Sequence, residues 1–449
     1  MKSVTRAALL TAATLALAGC GIFKESKPKT PTLGQRVPIL TSETGAEIDP
    51  ALAAIEVLLP PVAVNEAWAQ PGGNAAHSLG HLGLSATPTQ AWSAQIAGGD
   101  KRTRLAAAPV VSGGRVYMVD TEARLHAIDA QTGAKVYEVF VGDSADGDRA
   151  RGAKQNRSAL FGGGVSVEGD RLFATNGLGD VVALNAADGA QIWRKRPGGP
   201  LRGAPTLSNG NVYVVSQDNQ LFALRQSDGN VEWTEAGTLE VSGVFGVAAP
   251  AAAQGTIVAG FSSGELNAYR YENGRPVWQD TLSRTSISTT VGTVSDIDAE
   301  PVIDQGRVFA IGSGGRMVAL ELTTGQRVWE INAGGISTPW VAGEWVFALT
   351  TDARLLAVAR SNGRVRWATQ LPRWRNEKNK RNAISWIGPV LAGNRLIAVS
   401  SEGQIAYVSP ANGTVEATTR YGRPLSLAPV VANNTLYLLD DQGRLTAWR

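Results

Sequence analysis

One cysteine, three histidines and a few carboxylate clusters are the residues in this 449-residue chain whose types could do chemistry. Cys20 is the only thiol, so no disulfide can form within one chain. His77 and His81 are four apart, but Gly80 and Gly83 argue against the helix that would bring both imidazoles to one metal, and no third ligand is evident. His126 lies in a strand pattern, and three His leave little material for a zinc site or a Ser-His-Asp triad. Asp143, Asp146 and Asp148 offer calcium-type oxygens, yet the spacing is not that of an EF-hand and Lys154 stands where the bidentate Glu belongs. No Walker loop or dinucleotide fingerprint is present. These residues imply no catalytic set, no cofactor and no metal. Asp296 and Asp298, in Ser295-Asp296-Ile297-Asp298, read on their own as Asx-turn capping of a loop. Two basic stretches remain. Arg373, Arg375, Lys378, Lys380 and Arg381 lie beside Trp374 and Trp386, and Arg149, Arg151, Lys154 and Arg157 form the second. Each is either a solvated charged loop or a contact for an acidic protein or a lipid headgroup surface.

The elements that must carry these residues begin with a leader. Residues 1–19 combine Lys2 and Arg6 with an apolar stretch and small residues, an export signal too short to remain as a spanning helix. Without Lys2 and Arg6 the chain holds 40 basic against 39 acidic residues, so global charge gives nucleic acid no support. Residues 20–67 are rich in Pro, Thr, Lys and Glu with only a short apolar patch (Leu52, Ile55, Leu58, Leu59), which reads as a flexible tether.

From Pro109 onward the pattern alternates like strands and repeats. Heads fall at Pro109, Val165, Pro205, Pro250, Pro301, Pro339, Pro389 and Pro429. The first seven are each followed 24 positions later by a glycine: Gly133, Gly189, Gly229, Gly274, Gly325, Gly363 and Gly413. Four positions after each glycine stands Tyr137, Trp193, Trp233, Trp278, Trp329, Trp367 or, once, Ala417. The eighth tail would fall beyond Arg449, and the N-terminal run Pro88 to Trp92 supplies its aromatic instead. Pairing of the two ends would complete one blade and remove the open edges of a ring. The expected fold is all-β, an eight-bladed β-propeller of four-stranded antiparallel blades over 68–449, with the recurring Trp packed between neighbouring blades. Tail-to-head joints vary from 10 to 28 positions while the repeat body is constant, so one rim carries all the length variation and is the expected binding surface.

Two resemblances add to this reading. Leu17-Ala18-Gly19-Cys20 is similar to the lipobox of bacterial lipoproteins, which implies cleavage before Cys20, lipidation of its thiol and attachment to a membrane. Gly21 in the next position implies the outer membrane, on its periplasmic face. The run Ala183-Leu184-Asn185 to Gly189 and Trp193 resembles the repeats of pyrroloquinoline-quinone propellers. Lipobox, tether and eight repeats together resemble the BamB family, lipoprotein subunits of the outer-membrane β-barrel assembly machine. That resemblance implies a non-enzymatic scaffold that binds the periplasmic domains of BamA, works beside other assembly lipoproteins and assists unfolded outer-membrane precursors. It also implies partner contact through Asp296 and Asp298. The neighbouring family loop aligns with Val244, Phe245 and Gly246 here, where the family's Arg is absent and Phe245 offers an apolar anchor. A quinoprotein-type dehydrogenase and a carbohydrate-binding periplasmic lipoprotein are the competing expectations. The lone Cys speaks against the first, whose members commonly carry a vicinal disulfide.

Overall fold

Each repeat body folds into four antiparallel strands, with the head at the start of the innermost strand and the Gly–Trp tail in the outermost. The computed structural model describes residues 46–100, 102–142, 160, 162–201, 203–240, 248–282 and 296–449. Among these, eight four-stranded antiparallel sheets form the propeller ring, and one further two-stranded hairpin stands outside it. Blades 1 to 7 occupy 110–140, 165–195, 206–236, 251–281, 302–331, 340–370 and 386–420. The expected eight-bladed fold is the one observed.

Burial follows strand position. In blade 3 the second strand, Asn211–Val215, is buried at every residue, whereas the outermost strand, Val231–Ala236, buries only Trp233 fully. A strand near the middle of a blade has another blade against each face and so is apolar throughout, and an outer strand contributes one large ring to the seam.

Blade 8 is closed by both ends of the chain. Gln90–Gln95 pairs antiparallel with Arg444–Trp448, and Thr89 and Arg449 exchange both backbone hydrogen bonds. No edge of that blade is then left between N- and C-terminal segments.

The seams explain the constant glycine-to-aromatic spacing. The Trp of one blade lies on the glycine turn of the next. A Cβ added to Gly229, Gly274, Gly325 or Gly363 would sit 2.5 to 2.8 Å from the ring or Cβ of Trp193, Trp233, Trp278 or Trp329 respectively. Each of these indoles also donates its Nε1 proton to a carbonyl of that next blade, as from Trp278 to Leu322 at 2.7 Å and from Trp329 to Arg360 at 2.8 Å. Trp92 does the same to Ala130, joining blade 8 to blade 1. Ala417 is the exception that fits the rule. Its next blade is the eighth, which is made from the two chain ends and has no glycine turn to receive an indole.

Residues 46–67, expected within the tether, lie on the propeller instead. Ala46, Leu52 and Val57 are buried, and Asp49 N–H donates to Val365 O on the outermost strand of blade 6. The segment that follows then travels around the inside of the ring. Its backbone or side chains bond the innermost strand of every blade in turn: Trp68 to Val111, Ala69 to Val167, Gln70 to Leu207, Ala75 to Ala252, Ala76 to Ile303, Leu82 to Leu391 and Asn65 to Val431. In blade 6 the side chain of Trp340 donates to Gly80 O at 2.7 Å. The inner strands of a propeller present unpaired N–H and C=O groups to the axis, and this segment satisfies them. It forms a plug across the channel at the end of the inner strands remote from the joints.

Candidate functional site

All tail-to-head joints leave the outer strands and enter the inner strands at one end of the ring, so they share one face. Three features of that face can be built from described residues.

The first is the loop ahead of blade 5. Ile297 is fully buried, and its side chain occupies the space that Gly260 leaves open: a Cβ on that glycine would lie 2.5 Å from Ile297 Cγ2. Ile297 N–H donates to Phe261 O, while Asp296 O accepts from both the backbone and the hydroxyl of Ser313, at 2.9 and 2.7 Å. The loop is thereby stitched across the seam between blades 4 and 5. The two carboxylates expected to meet a partner are themselves buried, Asp296 at 0% and Asp298 at 6% exposure. Val244, Phe245 and Gly246 of the neighbouring loop lie outside the described residues, as do Cys20, Asp143, Asp146, Asp148 and the basic stretch 149–157.

The second is the basic stretch around 378, which is the two-stranded hairpin outside the blades, Trp374–Asn376 paired with Arg381–Ala383. Its backbone turn is held by Glu377, whose carboxylate accepts from the N–H groups of Arg373 and Trp374. Arg375 pairs with Glu402 at 2.8 Å, and Arg373 lies over the Trp374 ring. Lys378, Lys380 and Arg381 are exposed.

The third feature, which sequence reasoning did not single out, is an axial cavity of about 130 Å³. Its wall is made by residues that precede the inner strands, among them Asp298, Glu300, Ser337 and Thr338, and its floor by Trp68, Gln70 and His77 of the plug. The two histidines of the 77/81 pair bond different backbone carbonyls. His77 Nδ1 lies 2.7 Å from Pro301 O and His81 Nδ1 lies 2.9 Å from Pro60 O, each ring anchored to a backbone carbonyl. His126 pairs with Asp120 at 2.8 Å within blade 1. Among the described residues no group of three His, Cys, Asp or Glu is placed to hold a metal ion.

Burial in the cavity wall sets the state of two groups. The Glu300 carboxyl is pushed up to about 7 by desolvation, opposed by the hydrogen bond from Thr338. His77 is pushed down to about 4 by desolvation, opposed by its bond to Pro301, so the imidazole is neutral at pH 7. For Glu300 the folded chain holds the proton that an unfolded carboxyl near 4.5 has released. Its stabilisation is therefore complete below about pH 4.5 and is lost as pH rises through about 7. A displacement of this size corresponds to about 3 kcal/mol. Glu300→Gln is expected to raise the unfolding free energy at pH 8 by about 2 to 3 kcal/mol more than at pH 5. Urea titrations at the two pH values measure this, and a pH-independent difference would contradict the burial of the charge.

With that geometry in place, the chain can be set beside known proteins. A family model described as outer membrane protein assembly factor BamB matches residues 78–147 and 145–369. The outer membrane protein assembly factor BamB of Yersinia pestis is 27% identical over 363 residues, covering 81% of this chain and 89% of the relative. That of Escherichia coli K12 is 28% identical over 358 residues, covering 80% and 88%. Among solved structures, BamB from Moraxella catarrhalis superposes with a TM-score of 0.65 at 19% identity, over 81% of this chain and all of that one. The quinohemoprotein alcohol dehydrogenase of Comamonas testosteroni reaches 0.63 at 14% identity, over 86% and 81%, a likeness of fold alone. Since the model spans most of the ring and the curated relatives align along nearly their whole length, the chain belongs to the BamB family of outer membrane protein assembly factors.

Proposed function

We propose that this protein is a non-enzymatic scaffold of the outer-membrane protein assembly machinery that docks through its joint face. The observation that carries the reading is the asymmetry of the ring. Every insertion between constant repeat bodies falls on one face, while the other end of the channel is closed by the chain's own plug. A rigid scaffold that varies only on one face offers that face for recognition. Outer-membrane protein assembly is the role named for its relatives, and the machinery's other subunits are the partners this role implies.

The finer assignments follow the same line. The partner at the joint face is BamA, through its periplasmic domains, with the loops at 283–300 and 241–247 contributing. Because Asp296 and Asp298 are buried, their part is to hold the course of the loop around the Ile297 anchor, and the surface the partner meets is what that loop presents. Phe245, with Val244 and Gly246, supplies an apolar contact in the adjoining loop. Residues 1–19 are the leader, and Cys20 carries the lipid that holds the protein on the periplasmic face of the outer membrane. Unfolded β-barrel precursors are its cargo in common with the other lipoproteins of the complex.

Depletion in the parent organism tests the reading. Loss of the protein is expected to lower the outer-membrane content of β-barrel proteins at least twofold, with full restoration by the wild-type chain and weaker restoration by Cys20→Ser. Unchanged barrel content on depletion would contradict it.

A further inference from the structure

The axial cavity is a blind chamber built by two parts of the chain that meet only through folding. Its floor is the plug, where Trp68 stacks on Trp340 at 6.1 Å between ring centroids and His77 is fixed by Pro301 O. Its wall is the set of residues immediately before the heads. In six blades that residue is small: Ala108, Gly164, Ala204, Ala249, Gly388 and Ala428. In blades 5 and 6 it is Glu300 and Thr338, and these two bond each other. Thr338 Oγ1 donates to Glu300 Oε2 and accepts from Glu300 N–H, both at 3.2 Å. The repeat thus departs from its small-residue rule at two adjacent blades, and the departure puts a carboxyl on the cavity wall.

The polar group that this departure adds to the chamber is therefore a carboxyl, held on one side by the Thr338 hydroxyl. Thr338 is the one side chain that acts on the Glu300 carboxyl, with no Lys or Arg among the described residues beside it. The rest of the lining combines apolar residues, including Ala107, Val110, Ile387 and Leu427, with Gln70, Ser426 and a second carboxylate, Asp298. In size the chamber is close to the cavity of about 150 Å³ that accepts benzene, so a stem of four to six heavy atoms fills it.

We propose that the axial chamber binds a primary ammonium or guanidinium group on a short aliphatic stem, with the Glu300 carboxylate as its counter-ion. The apolar part of the wall covers the stem. The mouth lies on the joint face, where Ile336 is exposed, so the group can arrive as a free alkyl amine or as a Lys or Arg side chain of a polypeptide. This goes beyond the assembly role and does not depend on it.

Calorimetric titration of the full mature chain with n-pentylamine, n-pentanol and pentanoate at pH 8 tests the site. The amine is expected to bind at least tenfold more tightly than the alcohol, and pentanoate not at all. Glu300→Gln is expected to weaken the amine at least tenfold and leave the alcohol within twofold. A thermal melt of the variant reports that it folds. A short peptide with one central Lys, titrated alone and in competition with the amine, separates the sources. Competition supports a side-chain ligand, and amine binding without competition supports a free one. Equal affinity for the three probes, or amine binding unchanged in a folded Glu300→Gln chain, would overturn the proposal.

Discussion

Gly325→Ala is expected to destabilise the propeller by about 2 to 4 kcal/mol, far more than one methyl group ordinarily costs. Two penalties add. The turn holds Gly325 at a φ of +70°, a left-handed conformation that costs an L-residue about 1 to 2 kcal/mol. The new Cβ would also lie 2.5 Å from Trp278 Cγ, and relieving such overlap in a packed seam costs roughly 1 to 3 kcal/mol. Trp278→Ala should cost about 3 to 5 kcal/mol through the cavity it leaves and the lost bond to Leu322 O. The double variant separates the two causes. Removing the ring takes away the contacts at Cγ and Cδ2 and leaves the one at Cβ, 2.6 Å from the new methyl, so the pair should cost less than the sum of the singles in chemical denaturation. Strict additivity would mean that the indole ring is not what constrains the glycine.

Removal of residues 444–449 is expected to have the largest effect of any small truncation. Those residues include the strand Arg444–Trp448 that lies between Gln90–Gln95 and Thr435–Leu439, so its loss opens blade 8 on both sides. Leu445 and Ala447 are fully buried, and the exposed edges would be free to pair with other chains. Size-exclusion chromatography and thermal melts should show aggregation or a fall in Tm of at least 15 °C. A monomer with an unchanged melt would contradict closure by the two chain ends. Removing six residues from the exposed hairpin around Lys378 should leave the melt within a few degrees, since that hairpin lies outside the eight blades.

What could be read from the sequence was whatever the repeat makes periodic. The constant interval from head to glycine to aromatic reports a constant seam, and even Ala417 follows once the eighth blade is seen to lack a glycine turn. The plug was not legible because it has almost no periodicity of its own. Between Asn65 and Leu82 it bonds the inner strands of all eight blades one at a time, five through backbone groups and three through side chains, so its signal is distributed over its neighbours. The same holds for residues 46–67, whose few apolar side chains read as a tether until blade 6 supplies the surface they cover. Asp296 and Asp298 could be singled out by position, but their burial beside Ile297, which seats against Gly260 across a seam, is something spacing alone does not reveal. Glu300 carried a legible signal, being one of two polar residues at a place where six repeats have Ala or Gly, and it emerges only when the repeats are compared one place before the head.

Docking through the joint face is the central claim, and hydrogen–deuterium exchange on the full mature chain, with and without the periplasmic domains of its own BamA, tests it most directly. Saturable binding should protect the joints, above all 282–300 and 240–248, while amides of the glycine turns on the opposite face keep their free rates. Protection confined to the glycine turns or to the outer strands, or no protection at partner concentrations that saturate other subunits of the machine, would contradict it.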